Sequence, residues 1–179
     1  MTGPGSLRVR DAVDADLPTI QNIYAEHVLH GFGSFEELPP DLEEMRGRFE
    51  NITRRGFPYL VAEEAGRILA FAYAAPYRPR PAYRHSVEDS VYVASDAQRR
   101  GCGRALLSSL IERMEHAGYR QMVAIVGDSG NAGSIELHRS LGFELRGQLN
   151  AVGFKHGRWV DVVILQRALG EGAQTPPNL

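Results

Sequence analysis

The sequence predicts a single α/β domain, and three observations predict it. Short segments with alternating or continuous apolar residues are interleaved with segments whose apolar residues recur at three- and four-residue steps, the two periods of strands and of surface helices. A strand, a glycine turn and an amphipathic helix follow one another directly between residues 91 and 114. The chain of 179 residues is 43% hydrophobic, enough for one core and too short for two enzymes.

Taken in order, LRVRD (7–11) alternates apolar and charged residues as a half-buried strand does. Asp14 or Asp16 is placed to cap a helix whose apolar face is Leu17, Ile20, Ile23, Tyr24 and Val28, and Gly31 and Gly33 break it. A second helix follows the prolines at 39 and 40, with Leu42, Met45, Phe49 and Ile52 as its stripe. YLVAEE (59–64) and RILAFAYAA (67–75) flank Ala65-Gly66 and form an antiparallel hairpin. Pro76, Pro79 and Pro81 impose a loop before the strand SVEDSVYV (86–93).

A helix from about Gly103 to His116 turns Leu106, Leu107, Leu110, Ile111 and Met114 to one side, and Gly118 stops it. QMVAIV (121–126) reads as a buried strand, and a helix near 131–141 ends at Gly142. FELRGQL (143–149) and RWVDVVILQRAL (158–169) are the last strands, and 170–179 is expected to be a loose tail on a core of about 7–169.

Composition narrows the functions. Twenty Lys and Arg against 22 Asp and Glu give a net charge of −2, without the positive surplus that drives phosphate-backbone binding, so no nucleic-acid partner is expected. No apolar run approaches the roughly 18 residues of a membrane span, and the opening MTGPGSLRVRD has no apolar stretch like a secretory signal; a cytoplasmic protein is expected. The single cysteine, Cys102, excludes a disulfide framework and a multi-cysteine metal site.

The chemistry concentrates in VYVASDAQRRGCGRALLSSLIERM (91–114). Gly101 and Gly103 let the backbone approach a bulky anion, and the helix opening supplies unpaired N–H groups and a partial positive charge of about half an electron. Arg99, Arg100 and Arg104 add cationic side chains, so a pyrophosphate fits the environment. The alternative is that the glycines only shape a turn beside a solvated basic surface. The G-x-x-x-x-G-K-[ST] loop of nucleotide triphosphate sites is absent, and Leu106 stands where a dinucleotide fingerprint has its last glycine.

Gln98, Gly101 and Gly103 match the signature Q/R-x-x-G-x-G/A, and on these residues the sequence resembles the GNAT acetyltransferase superfamily. NAGSIELHRSLGFELRG (131–147) is similar to its second conserved segment. SFEELPPDLEEM (34–45), AYAAPYRPRPAYRHSVEDSVYV (72–93) and GFKHGRWVDVVILQ (153–166) resemble the branch of phosphinothricin, methionine sulfoximine and methionine sulfone N-acetyltransferases. The resemblance spans roughly residues 7–169. It implies a GNAT fold, with a mixed, mostly antiparallel central sheet, helices on both faces and a splayed cofactor entrance.

The resemblance further implies acetyl-CoA as co-substrate, with Val91, Tyr92 and Val93 along its thioester and pantetheine arm. Arg99, Arg100, Gly101, Cys102, Gly103 and Arg104 would hold its pyrophosphate, and Asn131 would touch the coenzyme A arm. Glu88 is the candidate general base, since an amino acid's ammonium must lose a proton before it attacks; without the resemblance it is an ordinary strand carboxylate paired with Arg84 or solvated. His138 stands where many superfamily members carry a tyrosine that protonates the departing thiolate, and is a candidate for that role or for assisting Glu88. Phe35, Arg78, Arg80 and Tyr83 are candidate substrate contacts, the arginines because a planar guanidinium grips a carboxylate or phosphinate with two hydrogen bonds.

Cys102 at a helix start invites a nucleophile reading, but no His or acid is placed by sequence to activate it, so direct attack in a ternary complex is the expected mechanism. The other histidines, at 27, 30, 85, 116 and 156, show no metal-ligand spacing, and no metal is expected. The expected function is therefore N-acetylation of the α-amino group of phosphinothricin, methionine sulfoximine or methionine sulfone, by a homodimer as is common in the family. A peptide N-terminus, a polyamine or an aminoglycoside is the alternative acceptor, and a non-catalytic acyl-CoA sensor the alternative of another class.

Overall fold

A computed structural model describes residues 6–177. It contains seven strands, β1 (Arg8–Asp11), β2 (Tyr59–Glu64), β3 (Arg67–Pro76), β4 (Ser86–Val93), β5 (Gln121–Gly127), β6 (Glu144–Lys155) and β7 (Arg158–Ala168). The helices are α1 (Leu17–His30), α2 (Leu42–Arg54), α3 (Cys102–His116) and α4 (Ala132–Ser140). The strands form one sheet in the order β1-β2-β3-β4-β5-β7-β6, antiparallel throughout except for the parallel pair β4 and β5.

Strand alternation divides the core between the two faces of the sheet. Tyr59, Val61 and Phe71 meet Leu17, Ile20, Ile23, Tyr24 and Val28 of α1 and Met45 of α2 on one face. Leu60, Ala62, Ala70, Ala72 and Val87 meet Leu106, Leu107, Leu110 and Met114 of α3 on the other. Along β4, Val87, Val91 and Val93 pack toward α3 while the Tyr92 ring packs against Tyr24 and Phe71 on the α1 face.

Local chemistry departs from the sequence expectations in three places. Asp16 does not cap α1 with its side chain; its carboxylate accepts from the Val13 N–H at 2.8 Å and from Arg10 at 2.6 and 3.0 Å, fastening β1 to the helix start. The strand expected to stop at 149 continues as β6 to Lys155 across a bulge between Leu149 and Gly153. The Asp161 carboxylate makes the bulge possible by accepting from the Ala151 N–H at 2.8 Å. The segment expected to be loose is held by Arg120, which donates to Gly172 O (3.2 Å), Thr175 Oγ1 (3.1 Å) and Pro176 O (3.1 Å); residues 178 and 179 lie outside the described ones.

The parallel pair positions the site. Its pairing runs from Ser86↔Gln121 to Asp89↔Ala124 and stops, although β4 continues to Val93 and β5 to Gly127. Beyond Asp89 the two strands part in the middle of the sheet.

Candidate active site

A cavity of about 820 Å³ occupies this gap, and because the sheet is open there it has walls on both faces. Glu36, Phe35, Tyr73 and Glu88 line it toward α1, and Cys102, Gly103, Leu137 and His138 line it toward α3 and α4. The backbone of Val91, Tyr92 and Val93 borders it, with one edge paired to β3 and the other without a strand partner. The Val93 carbonyl is met there by His27 Nε2 at 2.9 Å, which makes His27 a cavity residue that the sequence analysis did not single out.

The far end of the cavity is the start of α3. Gly101 has φ +84°, the left-handed region that a glycine adopts without penalty, and it turns the chain from β4 into the helix. The N–H groups of Arg99, Arg100 and Gly101 donate to no backbone acceptor among the described residues, so they and the first turn of α3 form a cluster of unpartnered donors. Gly103 lies under Leu137, Val93 and Val91, where a Cβ would stand 3.1, 3.5 and 3.8 Å from their side chains. Its absence lets α3 approach the gap closely.

The three arginines separate. Arg99 and Arg104 line the cavity, and Arg104 also donates to Ser140 Oγ at 2.8 Å, linking α3 to α4. Arg100 is drawn away into an ion pair with Glu64 and is not on the wall. Asn131 lines the cavity and caps α4, its Oδ1 accepting from the Ser134 N–H at 3.2 Å. Burial pushes the Cys102 thiol above its usual pKa, which disfavours the thiolate that covalent catalysis would need.

Glu88 and Asp89, consecutive on β4, point to opposite faces, and both reach the cavity through the gap. Burial raises the Glu88 pKa above the usual carboxylate value; the Asp89 charge adds to the rise and Arg78 opposes it. A carboxylate with a raised pKa is a better proton acceptor than an ordinary one. On the other face His138, 3% exposed, places Nε2 at 2.9 Å from Asp89 Oδ2 and Nδ1 at 2.7 Å from the Ser134 carbonyl. Burial works against the charged ring, but the Asp89 contact and the Ser134 carbonyl outweigh it and raise its pKa above 6.5. Asp89 was not among the candidates from sequence.

The loop 31–36 forms the remaining wall and is fastened from beneath. Tyr24 Oη is 3.0 Å from Ser34 Oγ and donates to Glu36 at 2.8 Å, Arg48 donates to Glu36 at 2.6 Å, and buried Lys155 donates to the Ser34 carbonyl at 2.7 Å. The ring of Phe35 rests on two glycines of the sheet. A Cβ on Gly153 would stand 2.8 Å from its Cδ2 and 3.0 Å from its Cζ, and one on Gly127 would stand 3.0 Å from its Cε1.

Arg78, Arg80 and Tyr83 are not on the cavity wall. They belong to the loop 77–85, where the Arg78 guanidinium lies 5.0 Å from the Tyr77 ring centre and Tyr83 packs edge-on against Tyr77 at 5.6 Å. Arg78 is still close enough for its charge to act on Glu88. Among the described residues no cluster of three His, Cys, Asp or Glu side chains could hold a metal ion, and no helix is long and apolar enough to cross a membrane.

An interrupted sheet that opens onto a glycine turn rich in free N–H groups, with a half-buried carboxylate at the other end of the gap, is the arrangement of an acyltransferase enzyme. The model of the acetyltransferase (GNAT) domain matches residues 9–164, and the chain belongs to that family. Over 170 residues it is 54% identical to the phosphinothricin N-acetyltransferase of Alcaligenes faecalis, covering 95% of this chain and 86% of the relative. It is 43% identical over 172 residues to the L-methionine sulfoximine/L-methionine sulfone acetyltransferase of Pseudomonas aeruginosa, covering 96% and 99%. The crystal structure of a GNAT superfamily phosphinothricin acetyltransferase from Sinorhizobium meliloti, in complex with acetyl-CoA, superposes with a TM-score of 0.93 at 50% identity, covering 96% of this chain and 93% of that one.

Proposed function

We propose that the enzyme transfers the acetyl group of acetyl-CoA to the α-amino group of phosphinothricin, methionine sulfoximine or methionine sulfone, by direct attack in a ternary complex. The observation that carries this reading is the gap between β4 and β5, with unpartnered N–H donors at the α3 end and Glu88 at the other. The carrier's pyrophosphate lies on Gly101 to Arg104 beside Arg99, and its arm runs along the free edge of Val91 to Val93. An N–H of that edge faces the thioester oxygen as negative charge develops on it, a contribution usually worth about 3 kcal/mol. Glu88 takes the ammonium proton, directly or through water, and the freed amine attacks the thioester carbon.

Acetylation removes the acceptor's positive charge and would inactivate amino-acid analogues that imitate a glutamine synthetase reaction, a detoxification that would confer herbicide resistance. The test is thiol release from acetyl-CoA by purified protein with each of the three amino acids; no release above background from any of them overturns the assignment. Arg80→Ala separates acceptor classes: a raised KM for methionine sulfone supports an anionic substrate end held by the loop 77–85, and unchanged kinetics favour a cationic acceptor. We further infer a cytoplasmic homodimer. Support for the dimer comes from β6, an edge strand paired on one side only, which with Trp159 exposes Leu145, Leu149, Val152 and Phe154. Light scattering on Trp159→Glu against the parent tests it, with a monomeric parent as the refuting result.

A further inference from the structure

Asp89 breaks the pattern of its own strand. Its neighbours on the α3 face of β4, Val87, Val91 and Val93, are apolar, yet position 89 carries a carboxylate that is 6% exposed. Only one of its oxygens is bonded. Oδ2 meets His138 Nε2, and Oδ1 is buried without a hydrogen-bond partner among the described residues. A half-satisfied buried carboxylate is a poor structural element, because one hydrogen bond does not restore what desolvation of the charge costs.

The proton inventory of the pair follows from its partners. The Ser134 carbonyl can only accept, so Nδ1 carries a hydrogen. The contact of Nε2 with Oδ2 then needs a second hydrogen between them, on one atom or the other. The couple therefore holds one proton more than a neutral imidazole beside a free carboxylate, and His138 has no nitrogen free to act as a base. Asp89 is the one charged side chain that acts on the ring; from α4 the ring meets the Ser134 carbonyl at 2.7 Å and, more distantly, the Ser134 hydroxyl at 3.5 Å, and from the turn after α4 the uncharged Phe143 ring at 5.0 Å. Glu88, with Arg78 facing it, bears on the couple from the other side of β4.

We propose that Asp89 is a positioning residue that holds His138 as a proton-loaded couple at the cavity wall, so that the couple supplies the proton taken up by the departing thiolate and Glu88 alone serves as the base. This rests on the acetyltransferase reading above. Glu88 removes one proton from the acceptor ammonium, the nitrogen bonds to the thioester carbon, and the C–S bond breaks with its electron pair on sulfur. The proton between Nε2 and Oδ2 passes to sulfur. The second proton shed by the new amide nitrogen reloads the couple, and Glu88 returns its proton to solvent, so each turnover releases one proton net. Emptied, the couple sets an imidazole lone pair against a carboxylate oxygen, an arrangement that drives reloading.

The experiment is Asp89→Asn, which keeps an acceptor for Nε2–H and removes the charge. Two-dimensional NMR of the histidine rings in the protein without substrates should show the His138 titration falling by about one to three pH units relative to the parent. The alkaline limb of thiol release against pH should move down with it, the acid limb set by Glu88 should also move down because the Asp89 charge no longer raises it, and the KM for acetyl-CoA should change by less than about twofold. An unmoved His138 titration overturns the proposal, and so does a moved titration with an unmoved alkaline limb. Asp89→Ser replaces the variant should circular dichroism show Asp89→Asn unfolded, with the same shifts expected. Ring titration needs no turnover, so a parent that titrates as described but releases no thiol overturns the acetyltransferase reading and keeps the buried couple.

Discussion

Gly153→Ala tests whether the acceptor end of the cavity is dimensioned by the seat of Phe35. The new methyl carbon would stand 2.8 Å from Cδ2 and 3.0 Å from Cζ of the ring, and closer still to Cε2. Carbon atoms prefer separations of about 3.5–4.0 Å, so the ring must retreat by roughly 1 Å. Gly127 and the Phe32 backbone close the adjacent side, which leaves the cavity as the direction of retreat. The ring is 41% exposed and able to swing, so the stability loss should sit at the low end of overpacking costs, about 1 kcal/mol. The acceptor loses room, and a loss of about 1.4 kcal/mol of its binding raises KM tenfold. Steady-state thiol release should show this increase for methionine sulfone, with the KM for acetyl-CoA within about twofold. Repeating the substitution on Phe35→Leu should abolish most of the effect, since two of the three colliding ring atoms, Cε2 and Cζ, are gone. An unchanged acceptor KM in Gly153→Ala, or the same increase in both backgrounds, would refute the reasoning.

Further outcomes follow from the same geometry. Because burial raises the Glu88 pKa above 4.5, the rate should fall on acidification through a point higher than an ordinary glutamate's; Glu88→Gln should remove that limb, cut kcat by about 10²–10⁴ and leave the melting temperature equal or higher. Lys155→Met deprives the buried Ser34 carbonyl of its donor, and should cost about 1–3 kcal/mol in denaturant unfolding and raise the acceptor KM. Gly101→Ala meets no atom within 4 Å but forces an alanine to φ +84°, so about 1–2 kcal/mol should be lost by backbone strain alone, with weaker coenzyme A binding by calorimetry and partial recovery in Gly101→Asn.

Most of the fold was legible because each element carries its own period. The stripe Leu106, Leu107, Leu110 and Met114 announces α3, and all four are buried where the stripe predicts. The features that were not legible depend on partners distant in sequence. Nothing near Lys155 shows that its amine is buried beneath residue 34, and nothing near Gly153 shows that an aromatic ring lies on it. The bulge in β6 depends on Asp161 across the sheet, and the diversion of Arg100 on Glu64 from another strand. Asp89 did have a local signal. It is a charge on the apolar face of a strand whose other side already holds Glu88, and reading β4 as two faces rather than as one carboxylate beside the glycine turn would have found it.

The termination of β4–β5 pairing accounts for the remaining design. Backbone donors and acceptors inside a sheet are expensive to leave unpaired, and here those on the β5 side of β4 beyond Asp89 face a cavity rather than a strand, with His27 meeting the Val93 carbonyl. A flexible arm carrying amides can take the place of the missing strand, which couples its binding to closure of the sheet. The same opening lets one strand contribute to both faces at adjacent positions: Glu88 toward the loop 31–36, Asp89 toward α4. In the proposed reaction, an amine arriving on the α1 face and a thiolate leaving on the α4 face would meet different proton-handling groups without sharing either, which a continuous sheet could not provide. The separation of base and acid proposed above would thus be a consequence of strand alternation at the edge of a gap, and would hold only while the parallel pairing ends at residue 89.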